Sequence, residues 1–171
     1  MRPIFVTTVA ALLVALSAAI GCASPRVFTN VEPGIDFAGF ETFALAPPPR
    51  SVPGLPGYSE ILGRAMQDIL RRDLVGKGFS EADWDAADLQ VAFDLGGESR
   101  AEVWGTGGWT GSVRTSHFVQ GALHVDVVDR RSSVLVWHGW TSGRVYSHGA
   151  EREAKQALRE VIAEFPPGPA Q

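Results

Sequence analysis

The stretch that decides the fold is "GALHVDVVDRRSSVLVWHGWTSG", residues 121–143. Three aliphatic side chains occupy alternate positions in its first half: Leu123, Val125 and Val127. Such alternation is typical of a strand with one buried face. The second half is rich in branched and aromatic residues, and the polar run 129–133 separates the two halves. The pattern predicts a β-hairpin, and we expect Leu135 and Trp137 to continue its buried face.

Three further stretches favour extended structure. They are "VFTNVEP" (27–33), "GFETFALA" (39–46) and "DLQVAFDLG" (88–96). The last of these places four apolar residues on one side: Leu89, Val91, Phe93 and Leu95. It therefore predicts a half-buried strand. The proline-rich stretch 47–57 predicts a stiff loop, because proline fixes its backbone angle and lacks a backbone donor.

Two segments carry apolar residues at spacings of three and four, which is the helical period. The first, residues 59–77, begins with Ser59 as its N-cap and ends before Gly78, a residue suited to the left-handed position after a helix. The second, residues 151–165, is stopped by the pair Pro166-Pro167. Both segments therefore predict amphipathic helices.

The order of the elements is strand, strand, helix, strand, strand, strand, helix. Hairpin-connected strands combined with two amphipathic helices are typical of α+β folds. We therefore predict a mostly antiparallel sheet of four to five strands, with the two helices packed side by side on one face. The apolar stripes of the helices contain medium-sized side chains, which favours a filled core over an internal cavity.

The N-terminal segment has the features of an export signal. Arg2 supplies a positive charge, and residues 4–20 form a run of seventeen without an ionisable side chain. The run ends at "AAIGC", in which Cys22 is the only cysteine of the chain. This ending resembles the bacterial lipobox, although Ala19 stands where leucine is usual. We interpret Cys22 as a lipidation site, because more than one acyl chain anchors a protein stably to a membrane.

Two other interpretations of this segment remain open. One is an uncleaved anchor helix, since seventeen residues is the lower limit for a membrane span, and the other is a cleaved signal that leaves a free thiol. Ala23 favours the outer membrane over retention at the inner one, so we expect a domain anchored by acyl chains and facing the periplasm. With lipidation, the chain divides into a signal peptide (1–21), a lipidated tether (22–26), one α+β domain (27–167) and a short tail (168–171).

Composition argues against several classes of protein. The chain has 15 basic and 19 acidic residues, a formal charge of −4 and no basic run, so nucleic acid is not an expected partner. Removal of residues 1–21 takes away one arginine and no acid, which lowers the charge to −5. The chain contains no phosphate-binding loop, HExxH, paired-cysteine motif or nucleophile elbow. We therefore expect no cofactor and no enzymatic activity.

The sharpest chemical hypothesis concerns the histidines. His124 and Asp126 lie two positions apart on a strand, so they share a face. If the hairpin loop has an odd number of residues centred on Arg131, His138 lies opposite His124, and the three side chains resemble the ligand set of facial-triad iron sites. An even loop turns His138 to the other face. An open sheet face offers no concave, shielded site, so we expect no bound metal.

Residues 97–118 differ in composition from the rest of the chain. Trp104 and Trp109 stand there among four neighbouring glycines. Loops on a rigid scaffold commonly carry binding residues, so one interpretation is a loop that contacts an envelope partner or a lipid interface. The other is a flap whose tryptophans cover the open sheet face. Trp104 and Trp109 are the candidate partner-binding residues.

Together these stretches resemble a family of bacterial envelope lipoproteins classified as domain of unknown function 4136. The resemblance covers about residues 27–167 and rests on "VEPGIDFAGFETFALAP", "LVGKGF", "ADLQVAFDL", the hairpin 121–143 and "VIAEFPP". Its most specific piece is "VLVWHGW" after an Asp-headed turn, although Ser132-Ser133 departs from the usual Asp-x-x-Thr-Gly. The resemblance implies a lipidated α+β domain in the envelope, with no established activity and no catalytic residue to transfer.

We therefore predict a non-catalytic interaction or structural module that is lipid-anchored in the envelope and can have an envelope protein as its partner. The alternative is a carrier that binds a small apolar molecule between the sheet and the helices, which requires a cavity on the order of several hundred Å³. The third and least favoured hypothesis is a metal-dependent enzyme that uses His124, Asp126 and His138.

Overall fold

The computed structural model describes residues 26–52, 55, 58–105, 113–145 and 149–169. The six strands are β1 (Val27–Val31), β2 (Thr42–Leu45), β3 (Ser80–Glu81), β4 (Leu89–Gly105), β5 (Val113–Asp129) and β6 (Val134–Val145). The helices are α1 (Glu60–Gly76) and α2 (Ala150–Ala163), with a 3-10 turn at Phe37–Gly39. Neither described helix is long and apolar enough to cross a membrane. The predicted signal peptide and Cys22 lie outside the described residues.

The strands form one sheet in the order β1-β6-β5-β4-β2-β3. In this order, β1, β6, β5 and β4 each run antiparallel to the neighbouring strand among these four. β2 is parallel to both of its neighbours, β4 and β3. The prediction of four to five mostly antiparallel strands was therefore wrong, because the sheet has six strands and is mixed. The parallel pairs arise because α1 returns the chain to the end of the sheet at which β2 began. β3 has only two residues, too few to show an alternating pattern.

A β-bulge in the β5–β6 hairpin decides which face each residue of β6 occupies. The turn holds residues 130–133, and Val127 pairs with Trp137 because Val136 is an extra residue in β6. Val136 and Trp137 are both buried, whereas Leu135 is 43% exposed. The expectation for Trp137 is confirmed and that for Leu135 was wrong, since one extra residue reverses the alternation.

Both ends of α1 match the sequence prediction. The hydroxyl of Ser59 accepts a hydrogen bond from the backbone N–H of Leu62 at 3.2 Å, which satisfies a free amide of the first turn. Gly78 has a φ of +101°, in the left-handed region. The N–H of Phe79 then donates to the carbonyl of Leu74 at 3.2 Å, so the chain folds back on the last helical turn.

α2 lies beside α1 on the same face of the sheet. Its buried residues are Leu158, Val161 and Ile162, and they join the stripe of α1 and the inward residues of β4 and β5 in one core. Lys77, just beyond α1, donates to the carbonyls of Ala163 and Phe165 at 3.0 and 2.6 Å. A cation at the C-terminal end of a helix is stabilising, so Lys77 ties the two helices together.

Aromatic rings fill the core beneath the C-terminal end of α2. The rings of Trp137 and Phe165 meet edge to face with centroids 5.1 Å apart, and Phe79 lies 5.7 Å from Phe165. The Trp137 ring covers Gly139, because a β-carbon added at Gly139 would overlap the ring. Edge-to-face pairs and full burial make this the most tightly packed end of the sheet.

Candidate functional site

A cavity of about 380 Å³ lies between the sheet and α2, at the end of the core away from Trp137. Its apolar walls include Leu55, Leu95, Leu123 and three alanines of α2: Ala150, Ala154 and Ala157. The expectation of a filled core was wrong here, because the N-terminal half of α2 presents alanines where its C-terminal half presents leucine, valine and isoleucine. The cavity has the size that the carrier alternative requires.

Two glycines of a cross-strand row of three, Gly121 and Gly143, explain why the sheet does not fill this space. Gly97, Gly121 and Gly143 are paired in register across β4, β5 and β6, and we name them the glycine row. Gly121 and Gly143 line the cavity, and a β-carbon on Gly143 would meet no atom within 4 Å. Small residues on both facing surfaces leave a gap in place of interlocked side chains.

The chain enters the described domain beside the cavity. Thr141 is 3% exposed and lines the cavity, and its hydroxyl donates to the carbonyl of Arg26 at 3.0 Å. Arg26 is the first described residue and directly precedes β1. Two side chains of opposite charge, Arg144 and Glu153, also line the cavity, so its mostly apolar wall includes charged groups.

The face of the sheet opposite the helices carries four rings, which we name the aromatic row: His124, His138, Trp140 and Phe28. The ring centroids of His124 and His138 are 5.4 Å apart, those of His138 and Trp140 are 4.9 Å apart, and Phe28 stacks on Trp140 at 5.4 Å. Cross-strand ring pairs stabilise a sheet. Because the rings stack on one another, this face is suited to joining β1, β5 and β6.

The structure brings the predicted histidine patch together. The turn has an even number of residues, but the bulge adds one more, so His138 stays on the face of His124 and pairs in register with Asp126. The Asp126 carboxylate lies 2.5 Å from Nδ1 of His138, which orients that ring. Within the described chain, no group of three His, Cys, Asp or Glu side chains could hold a metal ion. The geometry is that of an oriented, stacked histidine, and the expectation of no metal stays a prediction.

Asp88 forms a polar cluster that sequence reasoning missed. Its Oδ2 accepts hydrogen bonds from the backbone N–H groups of Glu41 and Thr42 and from the Thr42 hydroxyl, at 3.0–3.2 Å. Arg131 of the hairpin turn donates to Oδ1 at 3.0 Å. Partial burial opposes ionisation, but these donors outweigh it and hold the pKa of Asp88 below its ordinary value. The cluster joins β2, β4 and the turn, which is a structural role.

Residues 97–118, predicted to form a loop, are largely paired strand. β4 and β5 pair continuously as far as Gly105 and Val113, but β6 pairs with β5 only up to Val119, and β2 pairs only with the start of β4. In the described chain, residues 100–105 and 113–118 therefore pair with each other alone, and we name them the hairpin arm. The loop prediction was wrong because a high glycine content weakens a strand without preventing a two-stranded ribbon.

The candidate partner-binding residues are only partly visible. Trp104 lies in the hairpin arm, paired in register with Arg114. Trp109 and Cys22 lie outside the described residues. The interpretation of both tryptophans as partner-binding residues, and of Cys22 as the lipidation site, stays a prediction.

The mixed sheet carries two helices on one face, and hairpins join its long strands. The domain is therefore an α+β fold of two layers, one of sheet and one of helices. The sequence model of one family, Domain of unknown function (DUF4136), matches residues 27–167. The chain belongs to this family, which confirms the resemblance found in the sequence.

Two solved structures share the fold, and a third has a lower structural similarity. A DUF4136 family protein from Bacteroides thetaiotaomicron is 18% identical with a TM-score of 0.58, and the match covers 84% of this chain and 96% of that one. A PDZ domain protein from Parabacteroides distasonis is 13% identical with a TM-score of 0.58, and the match covers 83% of this chain but only 35% of that protein. A minor lipoprotein from Acinetobacter baumannii is 10% identical over 74% of this chain and 89% of that one, with a TM-score of 0.36.

At these identities, the two structures with the higher TM-scores show a common fold and nothing about activity. No curated protein sequence matches the chain.

Proposed function

We propose that the protein is a non-catalytic, lipid-anchored module of the bacterial cell envelope that binds a partner protein through the hairpin arm. The observation that carries this proposal is the pairing of the arm. Its two strands pair with each other, and in the described chain neither has a third strand beside it.

An isolated two-stranded ribbon is only marginally stable in water. Among the described residues, each outer edge also presents backbone N–H and C=O groups without a strand partner, and such edges are ready templates for another chain. A partner that adds a strand to one edge would satisfy these groups, and side chains of the arm would then give specificity. Trp104 supplies large contact area at low entropic cost in such an interface.

The membrane anchor supports this role. Cys22 precedes the first described residue by four positions, so a lipidated Cys22 keeps the domain close to the membrane surface. Ala23 favours the outer membrane, with the domain facing the periplasm. An acidic chain is repelled by anionic head groups, so the acyl chains would provide the attachment.

The absence of catalysis is part of the proposal. Catalytic groups usually lie in a concave site that excludes water. Among the described residues, the Asp126–His138 pair lies on an open sheet face, where the Asp126 side chain is 45% exposed. The Asp88 cluster is occupied by backbone and side-chain donors. Neither arrangement offers a free acid or base beside a shielded cleft.

Photo-crosslinking in cells tests the proposal. A photoreactive residue is placed at Glu102 or Thr115 in the arm, and at the 72% exposed Ile61 of α1 as a matched control. We expect both arm positions to capture the same protein and Ile61 not to capture it. Loss of that adduct in the Trp104→Ala/Trp109→Ala variant would link capture to the arm. If Ile61 captures the same proteins as the arm, the arm is not the binding surface.

A further inference from the structure

We propose that the cavity beneath α2 is a binding site for one acyl chain of a lipid from the membrane to which the protein is anchored. This inference goes beyond partner binding through the arm. It uses the membrane anchoring proposed above only to explain where the ligand comes from.

The size and the lining of the cavity suit an alkyl chain. Small-molecule sites occupy about 300–1,000 Å³ and are lined mainly by apolar groups with few polar ones. This cavity, of about 380 Å³, lies at the lower end of that range, and leucines, alanines and three glycines (Gly96, Gly121 and Gly143) form most of its wall. A mostly apolar wall offers few hydrogen-bond partners, which favours an aliphatic chain over a polar ligand.

Gly121 and Gly143 of the glycine row make the space, since side chains at these two positions would enter the cavity. Gly143 shares a face with Thr141, has no positive φ that would require glycine, and leaves 4 Å of open space around a β-carbon. Glycine in the interior of a strand costs stability relative to residues with side chains. Gly121 and Gly143, paired across two strands, therefore keep a volume open at a point where a filled core would be more stable.

The position of the cavity places it near the membrane. Thr141 in the cavity wall is hydrogen-bonded to Arg26, where the tether enters the domain. Arg26 lies four positions after Cys22, and four residue steps span at most about 14 Å. An anchored domain therefore holds Arg26, which is hydrogen-bonded to this wall, within about 14 Å of the lipid-bearing residue, and an acyl chain that leaves the bilayer has a short path to the cavity.

The two charged residues of the cavity wall favour a lipid with an uncharged head group. Arg144 and Glu153 both line the cavity. A fatty-acid carboxylate would therefore be attracted by Arg144 and repelled by Glu153, and the two effects oppose each other. A head group with hydroxyls can donate to the Glu153 carboxylate without either charge effect. A series of 1-monoacylglycerols is therefore a suitable probe.

The first measurement is the binding of 1-monoacylglycerols of increasing chain length to the full chain carrying Cys22→Ser, which has no acyl chain of its own. Each buried methylene should tighten binding about fourfold until the cavity is full. Affinity that does not depend on chain length would overturn the proposal. A failure here leaves the arm proposal untouched, because crosslinking from the arm does not involve the cavity.

Two filling variants locate the site. Gly143→Leu fills the cavity from the sheet, and Ala154→Leu fills it from α2, whereas Ala163→Leu adds the same side chain at an exposed position of α2. We expect at least a tenfold loss of monoacylglycerol affinity in both filling variants and no change in the control. Thermal melting identifies a variant that has failed to fold. In that case the monoacylglycerol affinity of the other filling variant tests whether the cavity is the binding site. Equal binding by a folded filling variant and the control would exclude the cavity.

Mass spectrometry under native conditions separates the possible sources of the chain. Lipidated wild-type protein extracted from membranes should carry one additional membrane lipid, and Gly143→Leu should carry none. If the Cys22→Ser protein binds monoacylglycerol but the lipidated protein carries no lipid and binds none, the acyl chain on Cys22 occupies the cavity, and the proposed source is wrong. A cavity that takes up only water in all these proteins would also overturn the proposal.

Discussion

The two ends of the core differ in how the same sheet and the same helix meet. At one end, Trp137 packs edge to face against Phe165, and the Trp137 ring leaves no room for even a β-carbon on Gly139. At the other end, Gly143 on the same strand faces open space, and α2 presents alanines. The difference indicates that the Trp137 end supplies the close packing that stabilises the domain. The cavity end is packed less closely, and it leads into the hairpin arm.

The largest expected effect is at the packed end. Phe165→Ala removes a ring that is 1% exposed and contacts Trp137, Phe79 and Phe37. We expect the free energy of unfolding in urea to fall by about 3–5 kcal/mol, as for other buried aromatic residues. Ala157→Gly at the cavity end serves as the comparison, with a cost of about 1 kcal/mol from helix propensity. Similar losses for the two variants would mean that the two ends do not differ.

A pair of glycine substitutions tests the comparison on a single strand. Gly139→Ala forces the Trp137 ring to move, so it should destabilise the protein by about 1–3 kcal/mol. Gly143→Ala adds a methyl group into open space and removes backbone entropy from the unfolded chain, so it should stabilise by about 0.4–1 kcal/mol. Urea unfolding of both variants measures this. Effects of the same sign would show that the cavity end is also tightly packed.

The sequence predicted the elements better than the space between them. Periodicity identified both helices and the inward residues of β4, because the spacing of apolar side chains is a local property. It missed the position of Leu135, since a one-residue bulge is not visible in the pattern of β6. It also missed the cavity, because Gly97, Gly121 and Gly143 become neighbours only through the register of three strands.

The candidate sites show the same limit. His124, Asp126 and His138 were grouped correctly, yet the hydrogen bond that orients His138 depends on a register shift that the turn sequence does not reveal. The cluster around Asp88 joins residues 46 positions apart, so no local motif marks it. The sequence of the arm predicted a loop because a high glycine content is typical of loops, yet a long two-stranded ribbon tolerates the same composition.

A smaller effect is expected at Asp88, which is separate from both ends. The pKa of Asp88 is lowered in the folded state, so its contribution is present above the unfolded pKa of about 4 and is lost as pH falls through the folded value. Asp88→Asn should cost about 1–2 kcal/mol at pH 7, because the charged acceptor is lost.

The difference between wild type and Asp88→Asn should shrink below pH 4, when unfolding by urea is followed across the acid range. Asp68→Asn is the control, since Asp68 lies in an exposed ion pair with Arg71. A difference for Asp88→Asn that does not vary with pH would show that the carboxylate charge plays no part.

The smallest expected effect on stability belongs to the hairpin arm. If Trp104 and Trp109 serve a partner, their side chains contribute to an interface and not to the core, so Trp104→Ala/Trp109→Ala should change the free energy of unfolding by less than about 0.5 kcal/mol. The same variant should lose the partner captured from Glu102 and Thr115, because truncated anchors weaken an interface far more than the fold that presents them. Urea unfolding of the purified variant and crosslinking in cells measure the two effects separately. A loss of several kcal/mol with capture intact would place the tryptophans in the packed part of the molecule. The arm would then stabilise the fold by covering the sheet, as the Trp137 end of the core does by close packing.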